Sequence, residues 1–247
     1  MTFRILNCAS MTPWWPRWEV GATCLLVDTN QGPILVDTGL GIHDHECPTR
    51  LVKIFQKLLG ITNAPEECAV NQLSHFGVRP GDIQHIILTH LHCDHAGGLP
   101  DFPNATVHVH RMEYEALLHP NSWIERFAYD KADFVHNPHW KLYKEITDKW
   151  YGFDAIHLPF IPKVYLIPLF GHTSGHCGVA VENGRGWIFL AGDSIPINAD
   201  FHITPDWLNR LILGSHGPDI EKLSIDQPEI RVLSAHAFKS FYNNAQI

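Results

Sequence analysis

Ten consecutive residues, Thr89-His90-Leu91-His92-Cys93-Asp94-His95-Ala96-Gly97-Gly98, constrain this chain more than any other feature. Three imidazoles and a carboxylate fall within six positions, directly after the β-branched run Ile83 to Thr89, which predicts a buried strand. Side chains alternate along an extended stretch, so His90 and His92 project to one side. A turn after Cys93 then brings Asp94 and His95 back toward a neighbouring point. One short loop can serve two cations in this way, and Gly97 and Gly98 let the chain turn closely behind it. Imidazole and carboxylate donors suit zinc, with iron or manganese also compatible. Cys93 is the one thiol nearby, which speaks against a cysteine-rich structural zinc site. A histidine cluster without metal is the bland alternative, and four donor side chains at this spacing outweigh it.

Around this loop the pattern is mixed α and β. Phe3 to Cys8, Thr23 to Asp28 and Pro33 to Asp37 read as strands, the last two joined by the hairpin-length turn Thr29-Asn30-Gln31-Gly32. Leu51, Ile54, Phe55, Leu58 and Leu59 recur at helical spacing, with Thr49 placed to cap and Gly60 to stop. A second helix is expected from Pro65 to about His75. Thr106 to His110 and Lys163 to Pro168 read as strands, Met112 to Leu118 as a short helix, and Cys177 to Glu182 with Gly186 to Ala191 as a hairpin. Ile230 to Ser234 is the last strand. Strands and helices do not alternate regularly, so the expectation is an α+β fold with two sheets packed face to face and helices outside. Residues 121–160 carry Trp123, Phe127, Tyr129, Phe134, Trp140, Tyr143, Trp150, Tyr151 and Phe153 without a clear strand pattern. They are read as an aromatic-rich cap inserted into a single domain spanning 1–247.

Composition narrows the function classes. Lys plus Arg at 18 against Asp plus Glu at 26 gives a net charge of −8, so nucleic acid gains no global electrostatic help. No run approaches the roughly 20 apolar residues of a membrane span. The six cysteines form no CxxC pair, which fits reduced thiols and a cytoplasmic protein. Cys93 and Cys177 flank the motifs and are read as small packing residues rather than nucleophiles.

With His90, His92, Asp94 and His95 completing an HxHxDH signature, the chain resembles the metallo-β-lactamase-fold superfamily of metallohydrolases. Val36-Asp37-Thr38-Gly39, Gly171-His172-Thr173-Ser174-Gly175-His176, Ala191-Gly192-Asp193 and Ser234-Ala235-His236 follow in the family order. The resemblance implies an αββα four-layer sandwich of two mixed sheets with outer helices. It also implies two divalent ions: one held by His90, His92 and His172, the other by Asp94, His95 and His236, with Asp193 bridging. Asp37 and His176 are read as bracing residues, since a metal-bound imidazole needs a partner on its other nitrogen.

The implied chemistry is hydrolysis by a metal-bound hydroxide, with Asp94 as the catalytic proton carrier. In look the chain is nearest to acyl-homoserine-lactonase-type hydrolases, which favours a small-molecule ester or lactone with an apolar portion. The aromatic stretch Trp14-Trp15-Pro16-Arg17-Trp18 and the 121–160 segment are the candidate pocket walls. Such lactonases carry a tyrosine three residues after the bridging aspartate, where this chain has Pro196. Tyr143 or Tyr151 is the stand-in the sequence offers. A ribonuclease-Z-like phosphodiesterase is the enzymatic alternative, and a persulfide-dioxygenase-like mononuclear iron enzyme the alternative from another class.

Overall fold

The computed structural model describes residues 3–14, 18–120, 126, 129–196, 210 and 212–244. Its first sheet runs in the order β1 (Phe3–Met11), β2 (Val20–Thr29), β3 (Gly32–Val36), β4 (His85–Ile87), β5 (Thr106–His110) and β6 (His139–Tyr143). β1 to β3 pair antiparallel, and β3 to β6 pair parallel. The second sheet has the order β12 (Ile230–Leu233), β11 (Trp187–Leu190), β10 (Cys177–Glu182), β9 (Val164–Pro168), β8 (Phe153–Leu158) and β7 (Asp148–Trp150). All its pairs are antiparallel except β11 with β12. β13 (His236–Phe238) crosses back to pair with the start of β2, so the end of the chain ties the two sheets together.

Strand periodicity explains the layering. Ile5, Leu25, Val27, Ile34, Val36 and Ile87 point from the first sheet into a core shared with Ile156, Leu166, Val179, Ile188 and Leu190 of the second. The alternate residues Leu6, Cys24, Leu26, Leu35 and Ile86 face outward against Leu73, Ala96, Leu99, Ala116 and Leu117. The second sheet turns Tyr165, Ile167 and Phe189 outward against Ile220 and Leu223 of the helix Gly217–Asp226. Parallel strands buried on both faces read as continuous apolar runs, which is why β3 and β4 are legible as core strands. The result is the four-layer αββα arrangement of two mixed sheets with outer helices.

The helix Arg50–Leu59 begins where expected: the Thr49 hydroxyl accepts from the Val52 amide, and Gly60 closes the other end. Its buried side chain is Val52, however, while Ile54 and Leu58 face solvent, so the packed face is rotated from the expected stripe.

Two expectations need correction. The helix expected from Pro65 to His75 is broken into a 3₁₀ turn Pro65–Glu67, a short α-helix Ala69–Gln72 and a second 3₁₀ turn Leu73–Phe76. Cys68 leaves helical geometry at φ −55°, ψ 136°, and buries its thiol together with Leu73. Residues 121–160 also do contain strands. β6 extends the first sheet, and β7 and β8 complete the second, with Trp150 packed edge-on against Trp187 and tilted against Phe189. β6 and β7 are edge strands with large aromatics, and β8 buries Ala155 and Ile156 in succession, so none shows a clean period-two signal. Trp123 and Phe127 lie outside the described residues, as do Trp15, Pro16 and Arg17. Among the described residues no helix is long and apolar enough to cross a membrane.

Candidate metal centre

The loop after β4 stays extended through His92, whose φ −68° and ψ 153° precede the one-turn helix Cys93–Ala96. That helix swings Asp94 and His95 back toward His90, as the spacing predicts. His172 lies in the loop after β9, Asp193 in a 3₁₀ turn after β11, and His236 at the head of β13 just past β12. All seven side chains meet where these strand ends converge. The donor atoms of His90, His92 and His172 lie within 4.8 Å of one another, as do those of His90, His95 and Asp193 and those of Asp94, His95 and His236.

Asp193 sits between two sets of imidazoles. Its Oδ2 lies 3.3 Å from His172 Nε2 and 4.0 Å from His90 Nε2, while its Oδ1 lies 3.6 Å from His95 Nε2 and 3.5 Å from His236 Nε2. Asp94 Oδ2 stands 3.5 Å from His236 Nε2 and 3.9 Å from His95 Nε2. His92 Nδ1 faces His172 Nε2 at 3.1 Å.

The far sides of the rings are tied down. His95 Nδ1 donates to Asp37 Oδ2 at 2.9 Å. The Thr89 hydroxyl also donates to Asp37 Oδ2, so its lone pair is left to accept from His90 Nδ1 at 3.0 Å. His172 Nδ1 donates to the Ile212 carbonyl at 2.7 Å, and His236 Nδ1 lies 3.3 Å from the Gly21 carbonyl. Protons held at Nδ1 leave the Nε2 lone pairs of His90 and His172 pointing inward, that of His172 toward His92 Nδ1. Asp37 adopts φ 56°, an uncommon backbone for a residue other than glycine, and its carboxylate is fixed by the Thr89 amide and hydroxyl. Its bracing role, and that of His176, matches the expectation. His176 Nε2 accepts from the Asp193 amide at 3.0 Å, and its Nδ1 is 3.2 Å from the Ser194 hydroxyl. Gly192 is required beside it, because a Cβ there would lie 2.4 Å from His176 Nε2.

The residues fit divalent cations on the structure's own terms. His90 Nε2, His95 Nε2 and Asp193 Oδ1 are buried and have no hydrogen-bond partner, a cost of about 1–3 kcal/mol each if nothing else satisfies them. Burial, reinforced by neighbouring imidazoles, pushes the pKa of His90 well below the usual histidine range and keeps it neutral. Burial alone would lower His95 too, yet the carboxylates of Asp94, Asp193 and Asp37 raise it to about 10. Burial works against the Asp193 carboxylate, but the imidazoles of His236, His95 and His172 hold it well below the carboxylate range. The carboxylates of Asp37, Asp94 and Asp193 thus draw positive charge to the centre, as the raised His95 shows, and a divalent ion would supply that charge at the orphaned atoms. Burial raises the Cys93 and Cys177 thiols well above their usual range, which fits packing residues better than nucleophiles.

Glu113 was not flagged by sequence. It lies on the buried face of the helix Arg111–Leu118 with Ala116 and Leu117, and a glutamate at that helical register among apolar residues is the signal that could have found it. Tyr143 and Tyr151, the expected stand-ins for a lactonase-type tyrosine, are engaged elsewhere. Pairing with β5 puts the Tyr143 hydroxyl 2.8 Å from His108 Nδ1, and exposed Tyr151 donates to Glu229.

An αββα sandwich with a buried histidine and aspartate centre at its strand ends defines a class of metal-binding fold. The model of the metallo-beta-lactamase superfamily matches residues 17–236, and the chain belongs to that superfamily. It is 38% identical over 193 residues to a Mycobacterium tuberculosis protein named "Probable metallo-hydrolase", covering 76% of this chain and 61% of that one. It is 34% identical over 175 residues to an N-acyl homoserine lactonase of Bacillus thuringiensis, covering 69% and 62% respectively. The chain thus spans about three-fifths of the length of these curated relatives. Among solved structures, an N-acyl homoserine lactone hydrolase with N-hexanoyl-L-homoserine bound at its catalytic metal center superposes with a TM-score of 0.72 at 23% identity. The match covers 98% of this chain and 95% of that one, and it shows the shared fold.

Proposed function

We propose that this chain is a two-metal hydrolase that cleaves the ester bond of a lactone or carboxylic ester bearing an apolar portion. The observation that carries this reading is the set of inward-facing buried atoms, His90 Nε2, His95 Nε2 and Asp193 Oδ1, left without partners. His90, His92 and His172 would hold one ion, and Asp94, His95 and His236 the other. Asp193 would serve both, since Oδ2 faces the first set and Oδ1 the second. Zinc suits this donor set best, with iron or manganese compatible. When bound, such ions supply Lewis-acid polarisation of the carbonyl and acidify water.

The chain's own residues do the rest. The Asp94 side chain is 9% exposed at the site, so its carboxylate can take a proton from the attacking water. As the carbonyl carbon–oxygen bond breaks, that proton passes to the leaving alkoxide. The Tyr129 ring packs 5.4 Å from the His92 ring and offers an apolar wall beside the centre. The Bacillus thuringiensis relative is named an N-acyl homoserine lactonase, which supports a lactone substrate here.

The test is a hydrolysis panel of long-chain acyl lactones, aryl esters, thioesters and phosphodiesters, run with and without a chelator. The expected result is chelator-sensitive turnover of lactones or esters that added zinc or manganese restores. Turnover of phosphodiesters alone would contradict the reading.

A further inference from the structure

The buried face of the helix Arg111–Leu118 places Glu113, fully shielded from solvent, behind two of the loops that build the centre. Its Oε1 accepts from the Leu91 amide at 2.9 Å and the Tyr129 hydroxyl at 3.0 Å. Its Oε2 accepts from the Thr173 hydroxyl at 2.5 Å and the Gly175 amide at 3.1 Å. Leu91 lies between His90 and His92, Thr173 and Gly175 lie one and three residues after His172, and Tyr129 packs on His92. Each carboxylate oxygen thus receives two donors. An amide at this position would turn an NH₂ group toward two donors, so the charge and shape of a carboxylate are both required. The His172 loop also crosses the helix so closely that a Cβ on Gly175 would lie 2.0 Å from the Glu113 amide nitrogen.

We propose that Glu113 is the positioning residue that sets cation affinity at the His90–His92–His172 position, by fastening the two loops that present His92 and His172 to each other. Among the described residues it makes no hydrogen bond to the seven donor side chains or to the segments carrying Asp193 and His236. Its second anchor is the His172 loop, which serves the first position alone, so its influence falls mainly on that position. This inference rests on the two-metal reading above.

The test is a titration of the metal-free full chain with Co²⁺, followed by absorption spectroscopy and by competition with a chromophoric chelator. Four proteins are compared: wild type, Glu113→Gln, Thr173→Val and His172→Ala. Wild type should show two binding steps, and His172→Ala identifies the step that belongs to the first position. Glu113→Gln should weaken that same step by about tenfold or more while the other step stays within about twofold, as expected for loss of an outer-shell brace. Thr173→Val, which removes one of the four donors, should weaken the same step by a smaller factor, and it serves if Glu113→Gln does not fold. Equal weakening of both steps, or no change in either, would overturn the positioning role. Fewer than two steps in the wild type would instead overturn the two-metal reading itself.

Discussion

His90 and His95 are braced through their own rings, whereas His92 and His172 are held together through the backbone of the loops that carry them. Asp37 reaches His95 directly and His90 through the Thr89 hydroxyl, so one carboxylate fixes the tautomer and rotation of two imidazoles. Glu113 reaches Leu91, Thr173, Gly175 and Tyr129 but neither of the imidazoles it stands behind. Ring bracing controls which nitrogen faces inward, and loop bracing controls how far apart two rings stand. The first is short-range and built around Thr89, next to His90. The second depends on chain segments about 60 residues apart, Glu113 and Gly175.

This contrast can be broken in stages. The largest effect is expected for Asp193→Ala, which removes the one carboxylate facing both sets of imidazoles. Elemental analysis should find fewer than one equivalent of metal per chain, and hydrolysis should fall by about a thousandfold or more. Two full equivalents in that variant would refute the shared role. Next comes His172→Ala, which should remove hydrolysis while lowering metal-free stability by only about 1–2 kcal/mol, because the ring stands outside the hydrophobic clusters and loses chiefly its contacts with the Ile212 carbonyl and His92. Survival of turnover would mean that the chemistry lies elsewhere.

Asp37→Asn sharpens the comparison with Glu113. Because Asp37 serves an imidazole in each set, its loss should weaken both cation-binding steps by about 10–100-fold, in contrast to the single step expected for Glu113→Gln. Weakening confined to one step would break the distinction between ring bracing and loop bracing.

The smallest effect lies beneath the centre. Asp44, Asp130 and Asp133 are buried close enough to interact, with Asp44 Oδ1 and Asp133 Oδ2 lacking partners. Burial raises Asp44 to about 7 against the opposing pull of the Gly41 amide, with smaller upward contributions from Asp130 and Asp101. Burial, then Asp44 and Asp130, raises Asp133 to about 9. Carboxyls raised on folding stabilise fully below their unfolded pKa near 4, and that contribution is lost as pH rises through about 7 and then about 9. Asp133→Asn should therefore raise metal-free stability by about 1–2 kcal/mol at pH 9, with the gain shrinking toward pH 5. A gain that does not change with pH would contradict charge burial as its cause.

Much of the fold was legible because β3, β4 and β9 are short apolar runs bounded by turns, and because the Thr49 cap and Gly60 stop are local signals. The seven donor residues were legible because the HxHxDH run and the later His172, Asp193 and His236 segments keep a family order. β6 to β8 were not, since the edge strands β6 and β7 carry aromatics with no clean period, β8 buries two successive residues, and β6 and β8 are held by pairing with β5 and β9. Glu113 escaped for a related reason. Its burial shows in the register with Ala116 and Leu117, but its four donors come from three separate segments that only the folded chain assembles.

The most direct test is an anomalous-difference map from crystals of the full chain grown with zinc. The account expects two peaks, one within reach of Asp193 Oδ2 with His90, His92 and His172, the other within reach of Asp193 Oδ1 with Asp94, His95 and His236. A single peak, or peaks that leave Asp193 uncoordinated, would contradict it.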